Sequence, residues 1–104
     1  MTGLMIDQSM ADFEANANEA ACMLKALSNE KRLMILCKLL ESGEMSVLPL
    51  AEKVGLGQSA LSQHLARMRA ENIVEFRRDG QTLYYRVADP RVAKVLTSLK
   101  SIFC

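Results

Sequence analysis

The sequence is poor in several residue types, and each shortage excludes a class of protein. Its 104 residues include one histidine and no tryptophan. No apolar run approaches the roughly 18 residues that a membrane span requires. Three cysteines, at positions 22, 37 and 104, are odd in number and far apart, which argues against a secreted disulfide framework. Residues 1–20 contain four acids and no basic segment, so we see no signal peptide and expect a cytoplasmic, single-domain protein.

Neither sign of charge is in large excess, because the formal net charge is only +1. The charges are unevenly distributed, however. Residues 1–30 hold five acids against one lysine, whereas residues 58–91 hold six arginines against four acids. A local basic face matters more for nucleic-acid binding than the net charge does. The composition therefore allows DNA binding without selecting it.

The first half of the chain has the apolar spacing of helices. Residues 1–9 lack this periodicity and are predicted to form a flexible tail. A first helix is predicted from Phe13, with apolar positions continuing at Ala17, Ala20, Leu24 and Leu27. Asn29 is the predicted N-cap of a second helix at about 30–41. The predicted core face of that helix consists of Leu33, Leu36, Leu39 and Leu40.

Two shorter helices follow, joined by a glycine turn. Ser46 is the predicted N-cap of a helix at about 47–54. Gly55-Leu56-Gly57 forms the turn, and a helix at about 58–70 follows with Leu61, Leu65 and Met68 facing inward. Two short helices with this connection match the helix-turn-helix layout.

The period then changes to that of a β-hairpin. Apolar residues alternate with polar ones on both sides of Asp79-Gly80, a strong hairpin signal. Asp89-Pro90 then starts a last helix at about 90–103. The predicted fold is mainly α with a small β-hairpin, in the order α-α-α-α-β-β-α. We assign residues 10–104 to a winged helix-turn-helix domain for DNA binding and dimerisation.

Polar residues on the helix at 58–70 and on the hairpin are candidates for contact with DNA. Glutamine, serine and arginine are residue types that bind base edges or phosphates. The recognition-helix candidates are Gln58, Ser59, Ser62, Gln63, His64 and Arg67, and the wing candidates are Arg77, Arg78, Gln81 and Arg86. An ordinary solvated helix face and a solvated turn are the alternatives. Helix-turn-helix proteins that recognise a specific operator are usually symmetric dimers. The first and last helices are each apolar on one face, so they are the natural dimer surface.

Several segments resemble ArsR-type transcriptional repressors. These are Leu24–Leu33, the helix start Gly57–Leu65, and the wing with Arg77-Arg78-Asp79-Gly80-Gln81 and Tyr84-Tyr85-Arg86. The resemblance covers about residues 14–104 and implies a homodimeric winged-helix regulator that binds double-stranded operator DNA. The family's metal-binding positions carry no Cys or His on helix 47–54 and no His on the last helix. We therefore predict no metal ion and no cofactor. We also predict no enzymatic activity, because the residues offer no His-carboxylate-nucleophile set and the single histidine, His64, lies on the predicted DNA-facing helix.

Cys37 and Cys104 further resemble the dithiol, persulfide- and redox-sensing subgroup of that family, the BigR, SqrR and HlyU type. That resemblance implies that reactive sulfur species or oxidants link the two cysteines and lower DNA affinity. From the residues alone, an inert packing role for both is favoured, and Cys22 is predicted to be a small packing residue. The alternatives are a thiol-independent regulator or anti-silencer of the same fold, a metal sensor with an unusual site, and a protein-interaction module.

Overall fold

Five helices and three short strands make up residues 2–103. The structure is a computed structural model that describes the backbone of residues 2–103 and the side chains of residues 10–103. The helices are α1 (Thr2–Leu27), α2 (Glu30–Ser42), α3 (Val47–Val54), α4 (Gln58–Ala70) and α5 (Pro90–Phe103); the strands are β1 (Met45–Ser46), β2 (Val74–Asp79) and β3 (Thr82–Val87). This order confirms the predicted winged helix-turn-helix fold.

Side-chain caps explain where two of the helices begin. The Asn29 side-chain oxygen accepts a hydrogen bond from the Arg32 N–H at 3.1 Å, and Asp89 accepts from the Arg91 N–H at 2.9 Å, as an N-cap does. Ser46 occupies the N-cap position of α3, as predicted, but its side chain makes no capping hydrogen bond. Ser46 belongs to β1, where it pairs with Tyr84.

Helix α1 begins earlier than its apolar pattern indicates. Residues 2–9 were predicted as an aperiodic tail, but their backbone continues α1 from Thr2. The segment has no proline, and its one glycine, Gly3, lies in the first turn. Nothing in the local sequence therefore terminates a helix that is already nucleated. The predicted boundary at residue 10 does not coincide with a change of secondary structure.

The core lies where α2, α3, α4 and α5 meet the sheet. The fully buried side chains include Ile35, Leu36 and Leu39 of α2. Leu40, predicted as core, is instead 36% exposed, and Leu33 is half-buried. The predicted core face of α2 was partly wrong because apolar residues lie on several sides of this helix. The three residues predicted to face inward from α4 are all 0% exposed: Leu61, Leu65 and Met68.

The sheet has three strands in the order β1-β3-β2. Asp79 pairs with Thr82, which leaves Gly80 and Gln81 as a two-residue turn at the tip of the wing. Gly80 has a φ of 65°, a conformation that glycine adopts without steric cost. The rings of Phe76 and Tyr85 lie 5.4 Å apart and fix the two wing strands against each other.

Helix α1 extends away from the rest of the chain. The radius of gyration is 16.1 Å, whereas a compact chain of this length has about 13 Å. Among residues 10–27 of α1, only Ala26 and Leu27 are buried. Most of the side chains described on this helix are therefore available to another surface. Among the helices within residues 2–103, none has the length and apolar character needed to cross a membrane.

Candidate nucleic-acid interface

The exposed face of α4 carries all six predicted recognition residues. The buried Leu61, Leu65 and Met68 anchor the opposite face of the helix. The six side chains are thereby held together on one surface: Gln58, Ser59, Ser62, Gln63 and Arg67 are exposed and His64 is half-buried. Within the described part of the chain, none of them forms a side-chain hydrogen bond or an ion pair. Their donors and acceptors are thus available to a bound molecule.

The surroundings of His64 favour its neutral form. Partial burial lowers the pKa of the imidazole, and the charges of Arg32 and Arg67 lower it further. A neutral imidazole offers one donor and one acceptor. At neutral pH, His64 therefore suits a hydrogen bond to a base edge better than an ionic contact with phosphate.

The structure divides the four predicted wing residues into two groups. Arg77 donates from Nε and Nη2 to the carboxylate of Glu44, with Nε 3.0 Å from Oε2, and its guanidinium carbon lies 4.5 Å from the centre of the Tyr84 ring. Arg86 forms an ion pair with Glu75 on the neighbouring strand. Both arginines are therefore engaged within the outer face of the wing.

Arg78 and Gln81 form the second group, at the wing tip. Both side chains are exposed, and neither has an ion-pair or hydrogen-bond partner among residues 10–103. The wing is also fixed relative to α4, because the Arg69 guanidinium carbon lies 4.1 Å from the centre of the Phe76 ring. Arg78 and Gln81 are consequently the wing side chains most available to DNA.

Cys37 lies at a cavity between α2 and α5. It is half-buried and lines a space of about 390 Å³ together with Leu40 and Glu41 of α2 and Leu96, Thr97 and Lys100 of α5. The predicted partner, Cys104, lies outside the described residues. The cavity nevertheless places Cys37 beside α5. The last residue of α5, Phe103, directly precedes Cys104 in the sequence.

The prediction for Cys22 was wrong for the single chain. Cys22 is exposed because α1 packs little against the rest of the described chain, and it borders a cleft that Glu19 and Arg91 also line. Within residues 10–103, no three His, Cys, Asp or Glu side chains converge in a way that could hold a metal ion.

The helix-turn-helix formed by α3 and α4 lies within a region shared with known regulators. The family described as "Bacterial regulatory protein, arsR family" matches residues 29–75. The nodulation protein NolR of Rhizobium meliloti is 51% identical over 88 residues, which are 85% of this chain and 71% of NolR. The chain belongs to the ArsR family. It is therefore a transcriptional regulator of a DNA-binding family and not an enzyme.

Solved ArsR-family structures show the same fold. The repressor BigR from Xylella fastidiosa superimposes with a TM-score of 0.86 at 43% identity, covering 91% of this chain and 96% of BigR. A structure described as reduced HlyU from Vibrio cholerae N16961 has a TM-score of 0.82 at 41% identity, covering 89% of this chain and 97% of HlyU. The resemblance to regulators of the BigR and HlyU type is thereby confirmed, and operator DNA is the kind of partner that fits.

The ion pair of Glu44 with Arg77 controls how much positive charge the wing presents. Hydrogen bonds from Arg77 lower the pKa of the Glu44 carboxyl, desolvation opposes this, and the charges of Arg77 and Arg86 lower it further. A depressed folded-state pKa means that the pair stabilises the fold above the unfolded pKa. That contribution is lost as the pH falls through the folded value. At neutral pH the pair is intact.

Replacing Glu44 with glutamine should strengthen non-specific DNA binding. The change removes a negative charge from the wing and releases Arg77, so we expect about a threefold gain in affinity at low salt and a steeper salt dependence. Fluorescence anisotropy with unrelated duplex DNA at several KCl concentrations measures both. Glu41→Gln is the matched control, since it removes an equal charge paired with Lys38 on α2. A loss of affinity in Glu44→Gln would instead show that Glu44 positions Arg77 for DNA.

Proposed function

We propose that this chain is a homodimeric repressor whose operator affinity is lost when Cys37 and Cys104 are linked by persulfide or oxidant chemistry. The observation that carries the proposal is the position of Cys37 at an open cavity between α2 and α5. A thiol needs such access to react with a dissolved compound. Because the target is operator DNA, we place the protein's action in the bacterial cytoplasm.

The cavity gives a small sulfur compound access to the Cys37 thiol. Reactivity of a cysteine follows its thiolate character and its accessibility. Leu40 and Leu96 form apolar walls, and Lys100 contributes a cation from α5. Lys100 has no ion-pair partner within residues 10–103, so its charge is available to an anionic reagent. The cavity therefore suits a compact anion with some apolar surface, as persulfides and polysulfides are.

The chemistry balances with a persulfide as the oxidant. The Cys37 thiolate attacks the terminal sulfur of an organic persulfide, a new S–S bond forms, and the organic thiolate leaves. The Cys104 thiolate then attacks the Cys37 persulfide, which forms the Cys37–Cys104 disulfide and releases hydrosulfide. A second persulfide before ring closure would leave extra sulfur atoms in the bridge. With hydrogen peroxide the same cysteines form a sulfenic acid and then a disulfide with loss of water.

Exposed apolar side chains support a homodimer through α1 and α5. Met10, Phe13 and Leu24 of α1 are between 53% and 59% exposed, and their spacing places them on one side of the helix. Ile102 and Phe103 at the end of α5 are 71% and 80% exposed. Exposed apolar surface on two neighbouring helices is typical of a protein interface, and the symmetric operators of such proteins call for two copies.

Linking Cys37 to Cys104 would couple α2 directly to the end of α5. Since α5 belongs to the proposed dimer surface, its displacement changes the distance between the two recognition helices. Those helices must enter major grooves about 34–36 Å apart. Misplacing one helix removes several base contacts, each worth roughly 1–3 kcal/mol. A small shift at α5 is therefore enough to release the operator.

Serine variants of the cysteines test this proposal. With wild-type protein, an organic persulfide should weaken operator binding by about tenfold or more, within the usual range of allosteric coupling, and a thiol reductant should restore it. Cys37→Ser and Cys104→Ser should both bind the operator normally and ignore the persulfide. Cys22→Ser is the matched control and should respond like the wild type. Electrophoretic mobility shift or anisotropy titrations with an operator selected from random DNA provide the measurement.

The same titrations separate the proposal from its alternatives. A wild-type response that persists in both Cys37→Ser and Cys104→Ser would contradict the dithiol mechanism. No response in the wild type would favour a thiol-independent regulator. Loss of DNA binding in the reduced variants would show that the cysteines are structural. Zinc or copper retained in stoichiometric amount after purification would favour a metal sensor.

A further inference from the structure

A groove lies between the start of the helix-turn-helix and the wing. Its lining includes residues that belong neither to the recognition-helix candidates nor to the wing candidates. It has a volume of about 390 Å³. We call it the backbone groove. We define it by Ser46, which precedes α3, Leu48 in α3, Gln58 at the start of α4, and Gln81 and Thr82 at the wing tip. Gln58 and Gln81, which belong to the two separate groups of DNA candidates, line the same space.

We propose that the backbone groove holds one sugar-phosphate unit of the operator, with Ser46 and Thr82 donating to its phosphate and Leu48 packing on its deoxyribose. The proposal rests on the proposed contact of α4 and the wing with DNA. It adds three residues to the interface, none of which is on the exposed face of α4 or among the wing candidates.

The path of the DNA strand supports this occupant. A recognition helix enters the major groove, and a wing tip with Arg78 and Gln81 is suited to the adjacent minor groove or its phosphates. A sugar-phosphate strand always separates a major groove from its neighbouring minor groove. That strand must therefore cross the protein surface between α4 and the wing tip. The backbone groove is that surface, since α4 contributes Gln58 to it and the wing contributes Gln81 and Thr82.

The chemistry of the lining also fits a nucleotide backbone. Leu48 is 66% exposed, so the core of the chain does not explain its position, and a deoxyribose offers apolar surface to cover it. Ser46 and Thr82 provide hydroxyl donors. Their side chains have no hydrogen-bond partner within residues 10–103, so both are available to phosphate oxygens. Among residues 10–103, no charged side chain lines this groove.

The absence of charge from the lining gives the proposal a distinctive signature. Neutral contacts with phosphate add affinity for every DNA sequence, but they do not displace the counterions that an arginine or lysine displaces. Loss of the hydroxyls should therefore lower affinity for operator and unrelated DNA equally without changing the salt dependence. Loss of Arg78 should instead reduce the slope of log affinity against log salt by about one.

The first experiment combines Ser46→Ala with Thr82→Val, which keeps a β-branched residue in β3. We expect about tenfold weaker binding to both the selected operator and an unrelated duplex, because two hydrogen bonds are lost, with an unchanged salt slope. Ser28→Ala, the same chemical change at an exposed site between α1 and α2, should have no effect. Arg78→Gln, titrated in parallel, should show the reduced salt slope.

A second variant keeps the test decisive if the double variant folds poorly. Leu48→Glu places a carboxylate at an exposed site in the groove, where it would face a phosphate. We expect at least a tenfold loss for both DNAs by like-charge repulsion. Ala70→Glu adds the same charge at the other end of α4 and should change affinity by less than about twofold. Thermal unfolding followed by circular dichroism confirms that each variant is folded.

A methylphosphonate scan of the operator locates the contact. Wild-type affinity should fall at one phosphate in each half-site, between the major-groove and minor-groove contacts, and Ser46→Ala with Thr82→Val should show no additional loss at that phosphate. If both groove variants bind DNA normally while substitutions of Ser62 and Gln63 weaken the operator complex, this proposal is overturned and the function of α4 stands. If neither set matters, the contact of α4 with DNA fails as well.

Discussion

Replacing Ser62 and Gln63 together with alanine will lower operator affinity about a hundredfold while leaving affinity for unrelated DNA almost unchanged. Both side chains are exposed on α4 and have no hydrogen-bond partner within residues 10–103. A well-placed contact with a base edge contributes roughly 1–3 kcal/mol of discrimination. Neither residue is charged, so their loss should not reduce the electrostatic attraction that dominates non-specific binding.

Anisotropy titrations with the selected operator and with a scrambled duplex of equal length measure this discrimination. Asn18→Ala with Ser28→Ala is the control, because it removes two exposed polar side chains from α1 and the α1–α2 junction without touching α4. Equal losses on operator and scrambled DNA would show that Ser62 and Gln63 contact the phosphate backbone. An unchanged operator affinity would mean that the exposed face of α4 is an ordinary solvated surface.

Introducing glutamates at Phe13 and Leu24 will convert the protein to monomers and lower operator affinity more than a hundredfold. Phe13 is 57% and Leu24 is 59% exposed in the single chain, and two charges buried at a helix interface would prevent association. A monomer engages one half-site and loses the gain from binding two linked sites, which commonly amounts to a factor of 10²–10⁴. Sedimentation velocity and operator titrations measure the two effects.

The opposite side of α1 supplies the control for this prediction. Ala11→Glu with Ala15→Glu adds the same charge at exposed positions on the face turned away from Phe13 and Leu24. We expect this variant to remain dimeric and to bind the operator normally. A Phe13→Glu, Leu24→Glu protein that is still dimeric would contradict the proposed role of α1. Monomers that retain full operator affinity would contradict the need for two copies.

Local sequence signals were sufficient for most of the fold. The apolar period of α4, the Asp79-Gly80 turn signal and the caps at Asn29 and Asp89 each depend on residues close together in sequence. The structure confirms the extents predicted for α3, α4 and α5. Strand β1 was missed because two residues are too few to show alternation. Its partner, β3, is about forty residues away in the chain.

The predicted site was only partly accessible from sequence for the same reason. The pairing of Glu75 with Arg86 could have been found, since the hairpin register places them opposite each other. The contact of Glu44 with Arg77 joins residues 33 positions apart and needs the order of the three strands. The face of α2 was misjudged because an apolar residue lies on nearly every side, so only packing could select Ile35 over Leu40.

The most direct test of the central claim is the intact mass of protein that an organic persulfide has released from operator DNA. We predict that the released fraction carries a Cys37–Cys104 link and that Cys22 still reacts with a thiol label. A disulfide lowers the mass by about 2 Da, and each additional bridging sulfur raises it by about 32 Da. Released protein in which Cys37 and Cys104 both remain unlinked, or linked protein that stays bound to the operator, would contradict the proposed dithiol mechanism.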